Sequence, residues 1–181
     1  MKPLDTLSQY REVFTFPIED YYKRVGFDFD KIPFSMLAHE YMEDYQEKSY
    51  ACDLHSDVLD VVNKAKNLGF SQTVLSASKM DYLLKQMETL HVDDLFDSIY
   101  GINDIYAKSK VELAHAFKQT CSLDDEIYFV GDSVHDYEVA KSIGAKCILV
   151  TTGHQNRATL ESVNVPVMDS LMESLDLIYE R

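Results

Sequence analysis

The hydrophobic rhythm of the chain changes near residue 52. Before that point aromatic and acidic residues mix, with no convincing buried strand. "PIEDYYKRVG" and "SMLAHEYMEDYQEK" both read as helices. In the second, Leu37, Tyr41 and Tyr45 recur every four residues as one apolar stripe, expected to serve packing rather than substrate recognition. From residue 52 onward the pattern predicts strands alternating with helices. "SDVLDVVNKAKNLG" puts Val58, Val61, Val62 and Ala65 on one face and stops at Gly69. "QTVLSAS" is a short β-branched run, hence a strand. "SKMDYLLKQMETL" is a helix with Met80, Leu83, Leu84 and Met87 inward and Ser78 as its expected N-cap. "DSIYG" is a weak strand, and "SKVELAHAFKQ" is a helix opened by the Ser109/Glu112 capping box. "EIYFVGD", "KCILVTTG" and "VPVMD" read as further strands. "SVHDYEVAKSIG" is a helix ended by Gly144, and a last helix closes the chain. Strands joined by helices of this length predict an α/β fold with parallel pairing and right-handed crossovers. Ligands then bind beyond the carboxyl ends of the strands.

Composition works mainly by exclusion. A chain of 181 residues supports one core, or a core with a small satellite. No apolar stretch approaches the ~20 residues needed to cross a membrane, and "MKPLDTLSQYREVF" has no signal-peptide apolar region. With 31 acids against 17 bases, the net charge of −14 argues against nucleic-acid binding. A small anionic substrate then needs a cation or a local lysine. Cys52, Cys121 and Cys147 lie far apart without a C-x-x-C pair, which fits a reducing cytoplasm and argues against a disulfide framework or a zinc site.

Three polar clusters fall at predicted strand ends: Ser76 after "TVL", Lys110 at a helix start, and Asp132, Ser133 and Asp136 after "IYFVG". Serine hydroxyls, backbone N–H groups and a lysine suit a phosphate. Carboxylates suit Mg²⁺, which prefers oxygen ligands. Two carboxylates ~4 Å apart repel by ~4 kcal/mol at an effective dielectric of about 20, and a bound divalent cation reverses that sign. Each residue also has a plainer reading. Ser133 and Asp136 form S-x-x-D, an ordinary helix start, and Asp132 suits the positive end of the helix dipole. Lys110 alone reads as a solvated lysine, and Ser76 alone as a strand-end hydroxyl. His135 and His154 fall near the candidate site and read as incidental. His39, His55, His91 and His115 have no ligand spacing around them.

Taken in order, the clusters resemble the haloacid dehalogenase (HAD) superfamily, closest to phosphoglycolate-phosphatase-like members with a small helical cap. "TVLSAS" is similar to the second motif of that family, a strand ending in Ser or Thr, here Ser76. "YAKSKVE" is similar to the third, with Lys110 as the basic residue and Lys108 as the weaker choice. "VGDSVHD" is similar to the fourth, G-D-S-x-x-D. "GHQNRATL" resembles the loop after the fifth strand, and "REVFTFPIEDYYKRVGFDFDK" the start of the cap. The resemblance implies a Rossmann-like parallel sheet with helices on both faces, a partial helical cap at 1–51 and the α/β core at 52–181. It implies that Ser76, the Ala77 backbone and Lys110 bind phosphate, and that Asp132 binds Mg²⁺. Asp136 would support Lys110 or the metal's water shell, and the substrate would be a small phosphorylated metabolite.

One motif is not found. The family's D-x-D-G-T, which carries the nucleophilic aspartate at the end of the first, central strand, has no counterpart before the cap-like "LSQYREVF". The first strand is therefore expected to be absent from this chain. Three outcomes are expected to be open: its neighbours close up, another segment or a second chain fills the gap, or the missing motif lies upstream of Met1 in the natural protein. The D-x-D of "FDFD" makes Asp28 an alternative nucleophile. However, "KIPF" follows in place of G-T, and a helix-to-helix turn is the plainer reading. The implied function is a Mg²⁺-dependent phosphomonoester hydrolase with little activity in the chain as given. The alternative is a non-catalytic binding or assembly module that keeps a metal–phosphate site. An uncovered sheet edge would favour a homodimer.

Overall fold

The structure is a computed structural model that describes residues 4–102 and 109–180, so Lys108 lies outside the described residues. Three helices come first: α1 (Leu7–Val13), α2 (Ile18–Arg24) and α3 (Phe34–Ser49). The alternating part then runs α4 (Val58–Asn67), β1 (Thr73–Lys79), α5 (Met80–Thr89), β2 (Ser98–Ile102) and α6 (Lys110–Thr120). It continues β3 (Tyr128–Gly131), α7 (Val134–Ser142), β4 (Lys146–Val150), α8 (Arg157–Glu161), β5 (Val167–Met168) and α9 (Leu171–Tyr179). All pairing among the described strands is parallel. This is the α/β arrangement that the strand–helix alternation predicts.

The described strands form two sheets, β1–β2 and β3–β4–β5. β1 and β3 are not paired with each other, so the expectation that these strands close up is not met. Side chains bridge them instead. Leu75 of β1 and Phe129 of β3 pack on one cluster made by Ala114 of α6 with Val139 and Ile143 of the α7 end. A second cluster, around Leu83, Met87 and Val92, fills the space under β1 and β2 with Val74 and Ile99. A third joins Ala140, Cys147, Leu149 and Leu160 beside β4. β4 is buried on both faces, which is why "CILV" reads as an unbroken apolar run. β3 is not. Val130 stands in register with Ile148, yet Val130 is 37% exposed and Ile148 only 2%. The layer that covers β4 therefore stops short of β3.

Three local expectations are corrected. Ser78 is not a helix cap, because β1 runs on to Lys79, which occupies the cap position of α5 without a side-chain hydrogen bond. The Ser78 N–H instead donates to Ser76 Oγ at 3.1 Å. The Tyr41/Tyr45 stripe is not buried. The two rings stack on each other at 5.7 Å, and both side chains stay exposed. A period of four shows that residues share a helix face, not that anything covers that face. Finally, "GHQNRATL" contains α8, a helix too short for its periodicity to show. It is opened by Asn156, whose side-chain oxygen accepts the Thr159 N–H at 2.9 Å.

The uneven cover of the two sheets is testable. Leu149→Ala, at a fully buried site, should cost about 2–5 kcal/mol, whereas Val130→Thr should change stability by about 0.5 kcal/mol or less. Urea denaturation of both variants checks this, and a large loss at Val130 would mean that β3 is covered in solution.

Candidate active site

β3 ends at Gly131, and the chain turns at Asp132 and Ser133 into α7. Ser133 caps that helix. Its Oγ accepts the Asp136 N–H at 3.2 Å, and Asp136 reaches back to the Ser133 N–H, completing a capping box. The S-x-x-D spacing is thus a helix start, as its plainer reading holds. Asp136 does more than cap. Its Oδ2 accepts the N–H groups of Asp132 and Ser133 at 3.0 and 3.1 Å and the Ser133 hydroxyl at 2.8 Å. Its Oδ1 accepts from Lys110 Nζ at 2.6 Å. Burial pushes the Asp136 pKa up. The Lys110 charge and the hydrogen bonds from Lys110, Ser133 and the Asp132 N–H outweigh that and hold the carboxyl below its ordinary value. Gly131 is required here, because a Cβ at that position would stand 2.3 Å from the Asp136 Cβ.

Asp132 lies differently. One oxygen, Oδ2, accepts the His154 N–H at 2.8 Å. A Cβ on Gly153 would fall 1.8 Å from that same oxygen, so only glycine allows the loop to approach. Oδ1 has no protein donor among the described residues. Lys110 is mostly shielded beside Asp136, and its Nζ sits 5.5 Å over the Phe129 ring.

These groups meet at one cleft of about 310 Å³ at the carboxyl ends of β1, β2 and β3. Its walls include Ala77, Ile102, Lys110, Asp132, Ser133 and Asp136, with Phe16 and His135 at the rim. Ala77, Lys110, Asp132 and Asp136 are therefore brought together, although they come from four different elements and loops. Ser76 is not on the wall. Its hydroxyl accepts the Ser78 N–H where the β1–β2 register breaks between Leu75 and Lys79. Asp28 is not on the wall either. It lies in the turn between α2 and α3, with Oδ1 accepting the Asp30 N–H at 3.1 Å and Oδ2 2.8 Å from Lys31 Nζ.

Several groups that matter here leave little trace in the sequence. The His154 N–H and the Gly153 backbone act without a side chain. Gln155 is buried, and its Oε1 accepts the Val134 N–H at 2.7 Å, which fixes the first turn of α7 to the loop after β4. Phe16 lies 5.3 Å from the His135 ring. The "GHQN" run following a strand was the only available pointer to the loop.

A magnesium ion takes oxygen ligands, keeps several waters and is held by one or two carboxylates together with substrate phosphate oxygens. Both oxygens of Asp136 are occupied by protein donors, whereas Oδ1 of Asp132 is not. Among the described residues no three of His, Cys, Asp or Glu gather as a metal centre. Among the carboxylate oxygens of the cleft, Oδ1 of Asp132 is therefore the one that could take a hard cation.

A parallel α/β scaffold gathers a lysine–aspartate pair at its strand ends, and comparisons with known proteins place the chain in a family. The family model for haloacid dehalogenase-like hydrolases matches residues 3–150, and the chain belongs to that family. A haloacid dehalogenase-like family hydrolase from Streptococcus pneumoniae superposes with a TM-score of 0.81 at 20% identity, over 98% of this chain and 83% of that one. A predicted phosphatase from Clostridium acetobutylicum gives 0.77 at 19% identity, over 98% and 84%. A predicted phosphoglycolate phosphatase from Haemophilus somnus gives 0.67 at 16%, over 95% and 80%. No curated protein matches the chain.

Two predictions concern the carboxylates. Asp136→Asn leaves the Lys110 charge without its partner and should cost about 3–5 kcal/mol at neutral pH. Because the folded-state pKa of Asp136 is lowered, its contribution is complete above the ordinary value of 3.8 and is lost as pH falls below that, toward the folded value. The stability gap between wild type and Asp136→Asn should therefore shrink in acid, as read by urea denaturation across pH. Both glycines face the base of an aspartate side chain: an added Cβ would stand 2.3 Å from the Asp136 Cβ at Gly131 and 2.3 Å from the Asp132 Cβ at Gly153. Gly131→Ala and Gly153→Ala should therefore each cost about 1–3 kcal/mol or more in urea denaturation, and Gly153→Ala should also displace the Asp132 carboxylate.

Proposed function

We propose that the chain is a phosphomonoester-handling HAD protein whose cleft holds the phosphate of a small metabolite, with little turnover in the chain as given. One observation carries this reading: Ala77, Lys110, Asp132 and Asp136 face a single cleft of a size suited to a small phosphate ester. Lys110 has three donors and spends one on Asp136, which leaves two for phosphate oxygens. The backbone around Ala77 would supply N–H donors, with Ser76 shaping that turn through its bond to Ser78. Asp132 would hold Mg²⁺, which supplies charge neutralisation of the phosphate. Asp136 orients Lys110 and keeps it charged. Lys110 and Asp136 are thus the catalytic pair of the reading, Lys110 by touching phosphate and Asp136 by positioning Lys110.

Turnover by the covalent aspartate route needs a carboxylate free to attack phosphorus. On the described wall Asp136 is fully engaged and Asp132 is reserved for metal, which supports low activity. The alternative reading, a non-catalytic module that binds a phosphorylated ligand, draws on the same observation. Phosphoglycolate comes to this chain only through its resemblance to proteins of that title. We also propose residues 1–51 as the cap, a homodimer burying the exposed side of β3, and a cytoplasmic setting in line with three unpaired cysteines.

Calorimetry with inorganic phosphate in the presence of Mg²⁺ tests the site. Wild type should bind, and Lys110→Met and Asp132→Asn should each weaken binding about tenfold or more. Hydrolysis of p-nitrophenyl phosphate should be near background and unchanged in Asp28→Asn, with Asp20→Asn as control. Absence of phosphate binding would sink the site. Brisk hydrolysis abolished by Asp132→Asn would sink the low-turnover claim and the inert-module reading together.

A further inference from the structure

Arg11 carries a charge with no ion-pair partner among the described residues, yet its guanidinium is held firmly. Nε donates to the Gly153 carbonyl at 2.8 Å, and Nη2 donates to the Thr152 carbonyl at 3.0 Å. The same short helix grips the same loop at three more points. The Tyr10 hydroxyl is 2.7 Å from His154 Nδ1. Phe14 stacks on the His154 ring with centroids 4.8 Å apart and planes at 23°. Asn156 Nδ2 donates to the Arg11 carbonyl at 3.4 Å.

The other side of that loop faces Asp132. The carbonyl that Arg11 takes and the N–H that Asp132 takes belong to one peptide group, between Gly153 and His154. The chain of contacts runs from the guanidinium N–H to the Gly153 oxygen, through the planar peptide, to the His154 N–H and on to Asp132 Oδ2. A cation at the carbonyl end polarises the peptide and strengthens its N–H as a donor. The peptide plane is also fixed at its oxygen, so the N–H has one direction in which to point. Gly153 lets the carboxylate lie against it.

We infer that Arg11 is the positioning residue for the Asp132 carboxylate, acting through the Gly153–His154 peptide. Arg11 does not touch the cleft ligand in this reading. It sets which Asp132 oxygen is occupied and so which one is left for a cation. Its consequence for ligand binding rests on the reading of Asp132 given above; the placement of the peptide does not.

Arg11→Gln and Arg11→Lys test it by two readouts. The first is amide hydrogen exchange of His154. Arg11→Gln should speed it by about tenfold or more relative to amides of β4, and Arg11→Lys, which keeps the charge and reaches one carbonyl, should fall between. The second is Mg²⁺-dependent binding of inorganic phosphate in a double-mutant cycle with Asp132→Asn. Arg11→Gln should weaken binding about 10–100-fold in the wild-type background and add nothing in Asp132→Asn. A purely structural Arg11 would instead lower affinity equally in both backgrounds, and that result overturns the inference, as does unchanged His154 exchange in a folded variant. If Arg11→Gln does not fold, Arg11→Lys decides, because wild-type exchange and affinity there are equally fatal. If wild type binds no phosphate with Mg²⁺, the functional reading falls, and His154 exchange still decides the role of Arg11.

Discussion

The structure depends most on one buried carboxylate. Asp136 is sheltered from water at the start of α7, a placement that costs several kcal/mol for an unpaired charge. It is offset by a lysine and three further donors from the turn that follows β3. That single group closes the end of β3, starts α7 and fastens α6 through Lys110. The absence of a side chain on Gly131 is part of the same packing, since the Asp136 side chain takes that space.

Because α6 and α7 are tied together, the two sheets keep a fixed relation without a shared ladder. Leu75 and Phe129 meet the same helical cluster from opposite sheets. The candidate cleft opens where the two sheets end, and side chains from β1, α6 and the turn after β3 face one another across it. A continuous sheet is not needed for that convergence. It needs only that parallel strands send their carboxyl ends to one side.

The loop after β4 reaches Asp132 through the His154 N–H, and α1 holds that loop through Arg11. Burial, with Tyr21, Tyr41 and Asp132 nearby, pushes the Tyr10 hydroxyl well above its ordinary pKa, so it stays protonated and able to donate to His154. Buried Phe14 anchors the same helix. The amino-terminal helix is therefore part of the electrostatic setting of Asp132 as well as its neighbour in space. Burial, with Asp136 adding to it, pushes the Cys147 thiol up to about 12, which leaves this core cysteine an inert packing group.

The strands and helices beyond residue 58 were legible because burial imposes a period, and a period survives in a linear string. Runs such as "CILV" and "VLDVVNKA" announce which face is covered. Ser109, Ser133 and Asp136 were legible as caps because capping acts over three residues. The Ser78 cap was misread, and the Tyr41/Tyr45 stripe, expected to serve packing, stacks on itself and stays exposed, because a hydroxyl near a helix start or a stripe on a helix face does not say what lies opposite. α8 escaped notice because a single turn has no period. What the sequence by itself determined was therefore local: the order and type of most elements and the residue types gathered at strand ends. Tertiary structure alone decided that Lys110 meets Asp136, that Ala77 lines the cleft while the Ser76 hydroxyl accepts the Ser78 N–H, that Asp28 stays in its turn, and that a peptide bond links Arg11 to Asp132. Those contacts join residues far apart in the chain or use backbone atoms that every residue shares, so no side-chain pattern could encode them.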